Sequence, residues 1–249
     1  MVKEKFSKGN SSIHKLDPRV KIITFSFFSV VVATSYKFPV IFISFLYPLS
    51  LILVSKVNLK EVLKGLLIVN GFILFLWIFL PFTGGSVPWF DLGPLTVFKD
   101  RIEYVALITL KSNIIILSMI TLIATSSVFS IVHALHHLHI PDKLVHLTFF
   151  TFRYIHVLYK EYKKLTNAMK LRGFSPCTNI HTYRSYAYLI GNLILRSFDR
   201  AEMVWKAMVC RGFKGTFPLL YHFKMKGKDR VFLVLSLIYI CFLATLGWK

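Results

Sequence analysis

Four histidines lie close together near the middle of this chain, and their spacing could suit a metal ion. They are His133, His136, His137 and His139. On a helix the first would share a face with the next two, and imidazole is a common ligand of zinc and other transition metals. No carboxylate follows at catalytic spacing, and the H-E-x-x-H signature is missing. Histidines at a membrane boundary fit the same pattern, and we therefore expect no metal ligands on this chain.

A second candidate for chemistry is a heptapeptide that occurs twice. Residues 168–174 and 207–213 share the pattern Ala-Met-x-x-Arg-Gly-Phe. Each copy predicts a helix end, because Gly can adopt the left-handed conformation beyond the last helical residue and Arg is favoured at the negative end of the helix dipole. The Met and the Phe of each copy would form the hydrophobic contact that closes such a cap. One copy is typical of an ordinary helix end, whereas two indicate a pair of matched ends that present a guanidinium to a soluble partner.

Patterns typical of common enzymes are missing from the sequence. It contains no Walker A motif, no G-x-S-x-G elbow and no Rossmann glycine fingerprint. Ionisable residues inside the apolar runs are few, and Lys111, near the predicted start of the fourth run, can extend toward the interface. The three cysteines form no CxxC pair and indicate neither a disulfide framework nor a zinc site. We therefore expect no catalytic residues and no cofactor bound by this chain.

The composition is that of a membrane protein. Of the 249 residues 55% are hydrophobic, and the mean hydropathy is +0.61, which is too apolar for an ordinary soluble domain. Five runs nearly free of charge approach the roughly 20 residues that cross a hydrocarbon core. They cover about residues 22–36, 40–54, 66–82, 104–129 and 231–248. The sequence thus predicts an all-α polytopic membrane protein with about five transmembrane helices.

The positive charge indicates the topology. Residues 125–229 contain 16 Lys or Arg against five acids, so the positive-inside rule places this segment and the N-terminus in the cytoplasm. The lysines of residues 56–64 predict another inner connection, whereas the Gly, Pro and acids of residues 83–103 predict an outer loop. Residues 1–21 lack the apolar core of a signal peptide, and we expect them to remain attached. Anionic lipids and an acidic protein partner account for the charge, so no nucleic acid is expected.

Two long helices are predicted inside the basic segment. Pro141 and Asp142 open the first, whose apolar residues recur at helical spacing until Gly173. The second runs from about Thr182 to Gly212. The predicted regions are a transmembrane part with four spans (1–129), a basic cytoplasmic part (130–229) and a C-terminal transmembrane helix (230–249).

These features resemble the T component of energy-coupling factor (ECF) transporters, the CbiQ/EcfT-like transmembrane proteins, over nearly the whole chain. The resemblance rests on residues 14–21 (His-Lys-Leu-Asp-Pro-Arg-Val-Lys), on Ile140-Pro141 followed by Phe152-Arg153-Tyr154, on both Arg-Gly motifs, and on Arg200-Ala201-Glu202. The doubled motif in this setting is its most specific part.

The resemblance implies a multi-pass scaffold in the cell inner or plasma membrane that links a substrate-binding membrane subunit, the S component, to two ATP-binding cassette ATPases. The two long cytoplasmic helices would be coupling helices that cross in an X and dock their Ala-Arg-Gly ends into grooves of the ATPases. ATP would be bound by those partner subunits. Carried over by motif, one ATPase would contact Ala168, Arg172 and Gly173, and the other Ala207, Arg211 and Gly212.

The transported substrate is less clearly indicated. Residues 81–85, Pro-Phe-Thr-Gly-Gly, resemble the cobalt or nickel branch, and for cobalt the S component would be CbiM-like. A T component for vitamin uptake is the alternative. A membrane-embedded enzyme would need a convergent set of acid, base or metal ligands in the spans, and a channel or secondary transporter would be expected to show repeat symmetry or polar interruptions there. The sequence shows neither pattern clearly.

Overall fold

The computed structural model describes residues 9, 11–55, 57–84, 88–92, 95–138, 140–214 and 225–248. These residues form eight α-helices, one short 3-10 helix at Leu80–Phe82 and one antiparallel β-hairpin. The helices are α1 (Pro18–Thr34), α2 (Phe38–Ser55), α3 (Leu59–Phe79), α4 (Lys99–Leu122), α5 (Val128–His137), α6 (Asp142–Leu171), α7 (Ile180–Cys210) and α8 (Gly227–Trp248). The hairpin pairs β1 (Pro88–Leu92) with β2 (Leu95–Phe98). The prediction of an all-α polytopic membrane protein is confirmed, with the hairpin as a small exception.

Four of the described helices are long and apolar enough to cross a membrane. They are α2, α3 together with the 3-10 turn, α4 and α8. The first predicted run corresponds to α1, which has 17 residues and is therefore about 25 Å long, somewhat less than the hydrocarbon core. Only residues 35–37 separate α1 from α2, so a tight turn joins these two helices.

Two predicted loops are shorter in the structure. The inner connection predicted at residues 56–64 ends at Asn58, because Asn58 occupies the N-cap position of α3 and Glu61 lies in the first turn, where the helix dipole favours an acid. The outer loop predicted at residues 83–103 contains the β-hairpin and the start of α4 at Lys99. Both predictions placed polar residues in loops that instead belong to helix ends.

The fourth span also ends earlier than the predicted residue 129. α4 ends at Leu122, and a short turn separates it from α5. The Ser127 side chain accepts a hydrogen bond from the N–H of Ser130 over 3.2 Å, so Ser127 acts as an N-cap and starts a new helix. The apolar pattern continues across this turn, which is why the sequence predicted one longer helix.

The described residues of Glu4–Ala134 and Phe223–Lys249 form one compact unit, a helical bundle. α4 contacts α1, α2 and α3, and α8 contacts α1 and α2. The core contains Phe28 from α1, Ile41 from α2, Ile114 from α4 and Leu243 from α8. Asn70 and Asn113 join α3 to α4 through two reciprocal amide hydrogen bonds of 3.1 Å, which give these apolar helices a specific polar contact.

The other compact unit consists of the described residues of Leu135–His222 and contains α6 and α7. The two predicted long helices are confirmed, with 30 residues in α6 and 31 in α7, and α7 continues unbroken through Gly191. α6 and α7 contact each other, and an ion pair between Glu161 and Arg196 joins them. The predicted regions 1–129, 130–229 and 230–249 stay a prediction.

Candidate functional site

Both copies of the repeated motif end a helix in the same way. Gly173 and Gly212 each have a φ of 79°, the left-handed conformation that glycine adopts without strain. The N–H of each Phe donates to the carbonyl of the Met in the same copy, over 3.1 Å in both. The N–H of each Gly donates to the carbonyl three residues earlier, over 3.0 Å in the first copy and 2.9 Å in the second. These bonds form the predicted Schellman caps.

Each cap exposes the same three side chains. In both copies Ala, Arg and Gly are exposed, while Met and Phe are half-buried. Ala168 and Arg172 are four residues apart, as are Ala207 and Arg211, so each pair shares one face of its helix. The result at each helix end is a small residue beside a guanidinium, which lets another protein approach closely and bind the charge.

The two guanidinium groups are available to a partner. Within the part of the chain that the structure describes, neither Arg172 nor Arg211 forms a side-chain hydrogen bond or ion pair. A guanidinium is permanently charged and can bind a carboxylate through two parallel hydrogen bonds. The caps can therefore provide a directional contact to acidic groups on another protein.

The aromatic residues of the two caps have different surroundings. The ring centroid of Phe174 lies 5.8 Å from that of Tyr186 and 6.4 Å from that of His181, both on the following helix, α7. The ring centroid of Phe213 lies 6.0 Å from that of Trp205, on the helix that this cap ends. The first cap is thus packed against a neighbouring helix, and the second packs on its own helix.

An apolar groove lies between α6 and α7. Its cavity has a volume of about 370 Å³ and is lined by Phe150, Tyr154, Leu158, Val204, Trp205 and Met208. Large apolar side chains are also exposed along α7, including Tyr183, Leu195 and Phe198. Neither α6 nor α7 is among the described helices that could span a membrane. Exposed apolar surface of this kind is typical of a protein-binding or membrane-binding surface.

The prediction that Lys111 lies near the start of its span is wrong, and no pattern in the sequence indicates the position that it takes. Since α4 begins at Lys99, Lys111 is in the helix interior. Its Nζ donates to the carbonyl of Ala33 over 2.9 Å and lies 4.5 Å from the ring centroid of Tyr36. Ala33 is in the last turn of α1, so Lys111 caps that helix and interacts with an aromatic ring.

The histidine cluster shows no metal site in the described residues. His133 and His137 lie in α5, whereas His139 and the side chain of His136 are outside the described part of the chain. Among the residues that were described, no three His, Cys, Asp or Glu side chains are grouped to hold a metal ion. That these histidines are not ligands stays a prediction.

Replacing all four histidines by Gln is expected to leave transport within a few-fold of the parent protein, because the sequence places no carboxylate after them at the spacing of a catalytic metal site and Gln keeps their polarity. The measurement is substrate uptake by membranes that contain equal amounts of inserted protein. Complete loss of uptake in a correctly assembled complex would contradict this expectation and favour a metal-binding role.

Comparison with known proteins gives consistent results over the length of the chain. A family model described as CbiQ, cobalt transport protein, matches residues 9–221. The energy-coupling factor transporter transmembrane protein EcfT of Listeria innocua is 30% identical over 226 residues, which cover 86% of this chain and 85% of the relative. EcfT of Lactococcus lactis is 27% identical over 260 residues, covering 100% and 98%. EcfT of Thermosediminibacter oceani is 27% identical over 227 residues, covering 83% and 82%.

Proposed function

Since this chain belongs to the CbiQ family and is a transmembrane component of the ECF transporter type, we propose that it couples two ATPase subunits to a substrate-binding membrane subunit. In this function it transmits motion driven by ATP binding and does not itself hydrolyse ATP. The family is a transporter component, not an enzyme family. The polytopic helical fold agrees with this function.

The pair of matched caps is the observation that carries the proposal. Two helix ends have the same φ at Gly, the same pattern of hydrogen bonds and the same exposed Ala and Arg. Two equivalent docking elements suit two ATPases of similar shape. We assign Ala168, Arg172 and Gly173 to one ATPase, and Ala207, Arg211 and Gly212 to the other.

The coupling helices are suited to transmit motion because they are long and joined to each other. With 30 and 31 residues, α6 and α7 are each about 45 Å long. The ion pair between Glu161 and Arg196 lies 11 and 15 residues before the two motif arginines, which corresponds to about 16 and 22 Å along the helices. A displacement of either ATPase would thus act on the contact between the helices through a stiff arm.

The substrate-binding subunit is the partner that we place on the apolar surface of α6 and α7. A membrane protein partner offers apolar side chains that would cover the groove and the exposed residues of α7. Cobalt or nickel is the proposed substrate, supported by the family description and by the resemblance of residues 81–85, of which Gly85 lies outside the described residues. Vitamin uptake is the second candidate, since the relatives named EcfT carry no metal in their names.

Copurification tests this function directly. The tagged chain, extracted in mild detergent from its own cells, is expected to bring down two ATP-binding subunits and a small membrane protein, because the caps and the apolar groove each need a partner. Reconstituted with ATP, the complex should take up radioactive cobalt or nickel. A chain that supports normal uptake without any bound ATPase would contradict the proposal.

The topology is tested by the accessibility of single cysteines. We expect the N-terminus and residues 125–229 in the cytoplasm and the C-terminus outside, because the basic connections alternate with the turn-rich segment after α3. In a variant whose three exposed cysteines are replaced by Ser, a cysteine at Lys164 should resist an impermeant thiol reagent added to intact cells. A cysteine at the exposed Thr83 should react, and the opposite result would overturn the topology.

A further inference from the structure

A lysine is buried at one end of the helical bundle. Only 1% of Lys21, in the first turns of α1, is exposed to solvent. Its Nζ donates to Ser126 Oγ over 2.8 Å and to Thr125 Oγ1 over 3.3 Å. Both hydroxyls belong to the turn between α4 and α5. The beginning of the first helix is thereby bonded to the point where the chain leaves α4.

Two buried acids extend this contact to the last helix. Asp17, 6% exposed, caps α1 by accepting from the N–H of Arg19 over 2.9 Å. The N–H of Asp17 donates to Oδ1 of Asp229, which is 4% exposed, over 3.2 Å. Asp229 Oδ2 accepts from the N–H of Lys226 over 2.8 Å, at the start of α8. Both carboxylates are near enough to Lys21 to act electrostatically on its ammonium group.

We call these five residues the inner polar cluster: Asp17, Lys21, Thr125, Ser126 and Asp229. The cluster joins three segments of the bundle: the start of α1, the turn between α4 and α5, and the start of α8. The bundle unit continues through Ala134, so Ser126 lies eight residues before the chain leaves this unit, and Asp229 lies in the first turn of α8, after α6 and α7 in the sequence. The first helix is bonded to both.

Burying these charges costs free energy, and an apolar side chain at the same position would fill the space without that cost. Removing an ammonium and carboxylates from water is expensive, and a well-packed apolar side chain is often at least as stable. The cluster contributes directional contacts: its hydrogen bonds to particular hydroxyl and amide groups fix the relative positions of the joined segments. A fixed geometry is needed where a displacement has to pass from one part of a protein to another.

We propose that the inner polar cluster is the joint through which displacement of the coupling helices reaches the membrane bundle, with Lys21 as its central positioning residue. This inference rests on the proposed coupling function. It assigns a role to residues that belong neither to the ATPase caps nor to the lining of the apolar groove. Without the ammonium, the turn after α4 would remain folded but would no longer be hydrogen-bonded to α1, while the start of α8 would keep its bond to the N–H of Asp17 and lose only the electrostatic attraction of Lys21.

The test compares Lys21→Met with Lys21→Arg and with Lys15→Met. Met keeps an unbranched apolar stem and removes the charge, Arg keeps the charge and the donors, and Lys15 is an exposed lysine of the same segment. Copurified ATPases, thermal stability, ATP hydrolysis and substrate uptake are measured on each complex. We expect the Met variant at position 21 to retain its ATPases and hydrolysis but to lose uptake per ATP on the order of tenfold, a usual size for coupling between sites. The Arg variant should recover part of the uptake, and the Lys15 variant should match the parent.

The outcomes distinguish failure of the proposed joint from failure of the proposed coupling function. If the parent chain binds no ATPase, the coupling function is wrong. If the parent protein couples normally and Lys21→Met has unchanged uptake per ATP, the inner polar cluster does not act as the joint. Should Lys21→Met fail to assemble, Thr125→Val combined with Ser126→Ala removes the two acceptors with little change in volume and decides the question by the same ratio.

Discussion

Replacing Arg172 and Arg211 together by Ala is expected to abolish both copurification of the ATPases and ATP-driven uptake, while the chain remains inserted in the membrane. Each substitution removes a charge-assisted contact and leaves a carboxylate of the partner unpaired, at a cost on the order of 2–5 kcal/mol for a buried pair. Both arginines follow the last residues of α6 and α7 and are exposed. Folding of the bundle should therefore be unaffected, and the measurements are ATPase copurification and uptake on equal amounts of inserted protein.

Two control variants make this result specific. Lys at both positions should restore binding only in part, because an ammonium cannot reproduce the bidentate geometry of a guanidinium. Arg184→Ala removes an exposed arginine of α7 outside the motif and should bind the ATPases normally. Parental binding and uptake in the double Ala variant would show that the repeated motif is only a pair of helix caps, and the coupling proposal would fail.

The second large effect is expected from Gly173→Val combined with Gly212→Val. Both glycines have a φ of 79°, and no atom lies within 4 Å of a Cβ built at either position, so the effect is conformational and does not arise from crowding in the free chain. A side chain in the left-handed region costs roughly 1–2 kcal/mol per residue, and relief of this strain would reorient the adjacent arginine. We expect strongly reduced ATPase binding at both caps, measured by copurification.

Two further variants provide matched comparisons: Asn at both cap glycines, and Ala in place of Gly191. Asn is the residue that most often replaces Gly in such caps, so Gly173→Asn with Gly212→Asn should retain more binding than the Val pair. Gly191 also has open space around it but lies inside α7, where Ala stabilises a helix by about 0.5–1 kcal/mol relative to Gly. Gly191→Ala should therefore bind normally. Equal binding by the Val and Asn pairs would show that the left-handed conformation is not required.

Local chemistry explains which features the sequence predicted. The ends of α6 and α7 depend on residues a few positions apart, and the hydrogen bonds from Phe174 and Phe213 follow the predicted pattern. The turn after α4 was missed because its signal, the side chain of Ser127, lies within a continuing apolar run. The position of Lys111 was missed for a different reason: its partner Ala33 is 78 residues away in the sequence.

The inner polar cluster is a clearer case of contacts between distant residues that the sequence did not predict. Lys21 and Ser126 are 105 residues apart, and Asp17 and Asp229 are 212 apart. Residues 14–21 were recognised as part of a family resemblance, but no spacing rule indicates which residues meet across such distances. Contacts of this kind depend on how the helices assemble, so they follow from the fold and not from the pattern.

The different surroundings of the two caps would make the proposed assembly asymmetric. One chain supplies both caps, so two ATPases docked on them as proposed could not be related by an exact rotation axis that includes this subunit. Phe174 packs against Tyr186 and His181 on another helix, while Phe213 packs on Trp205 of its own helix. Two chemically identical ATPases would therefore work against supports of unequal stiffness, and any difference between their contributions to transport would originate in this subunit.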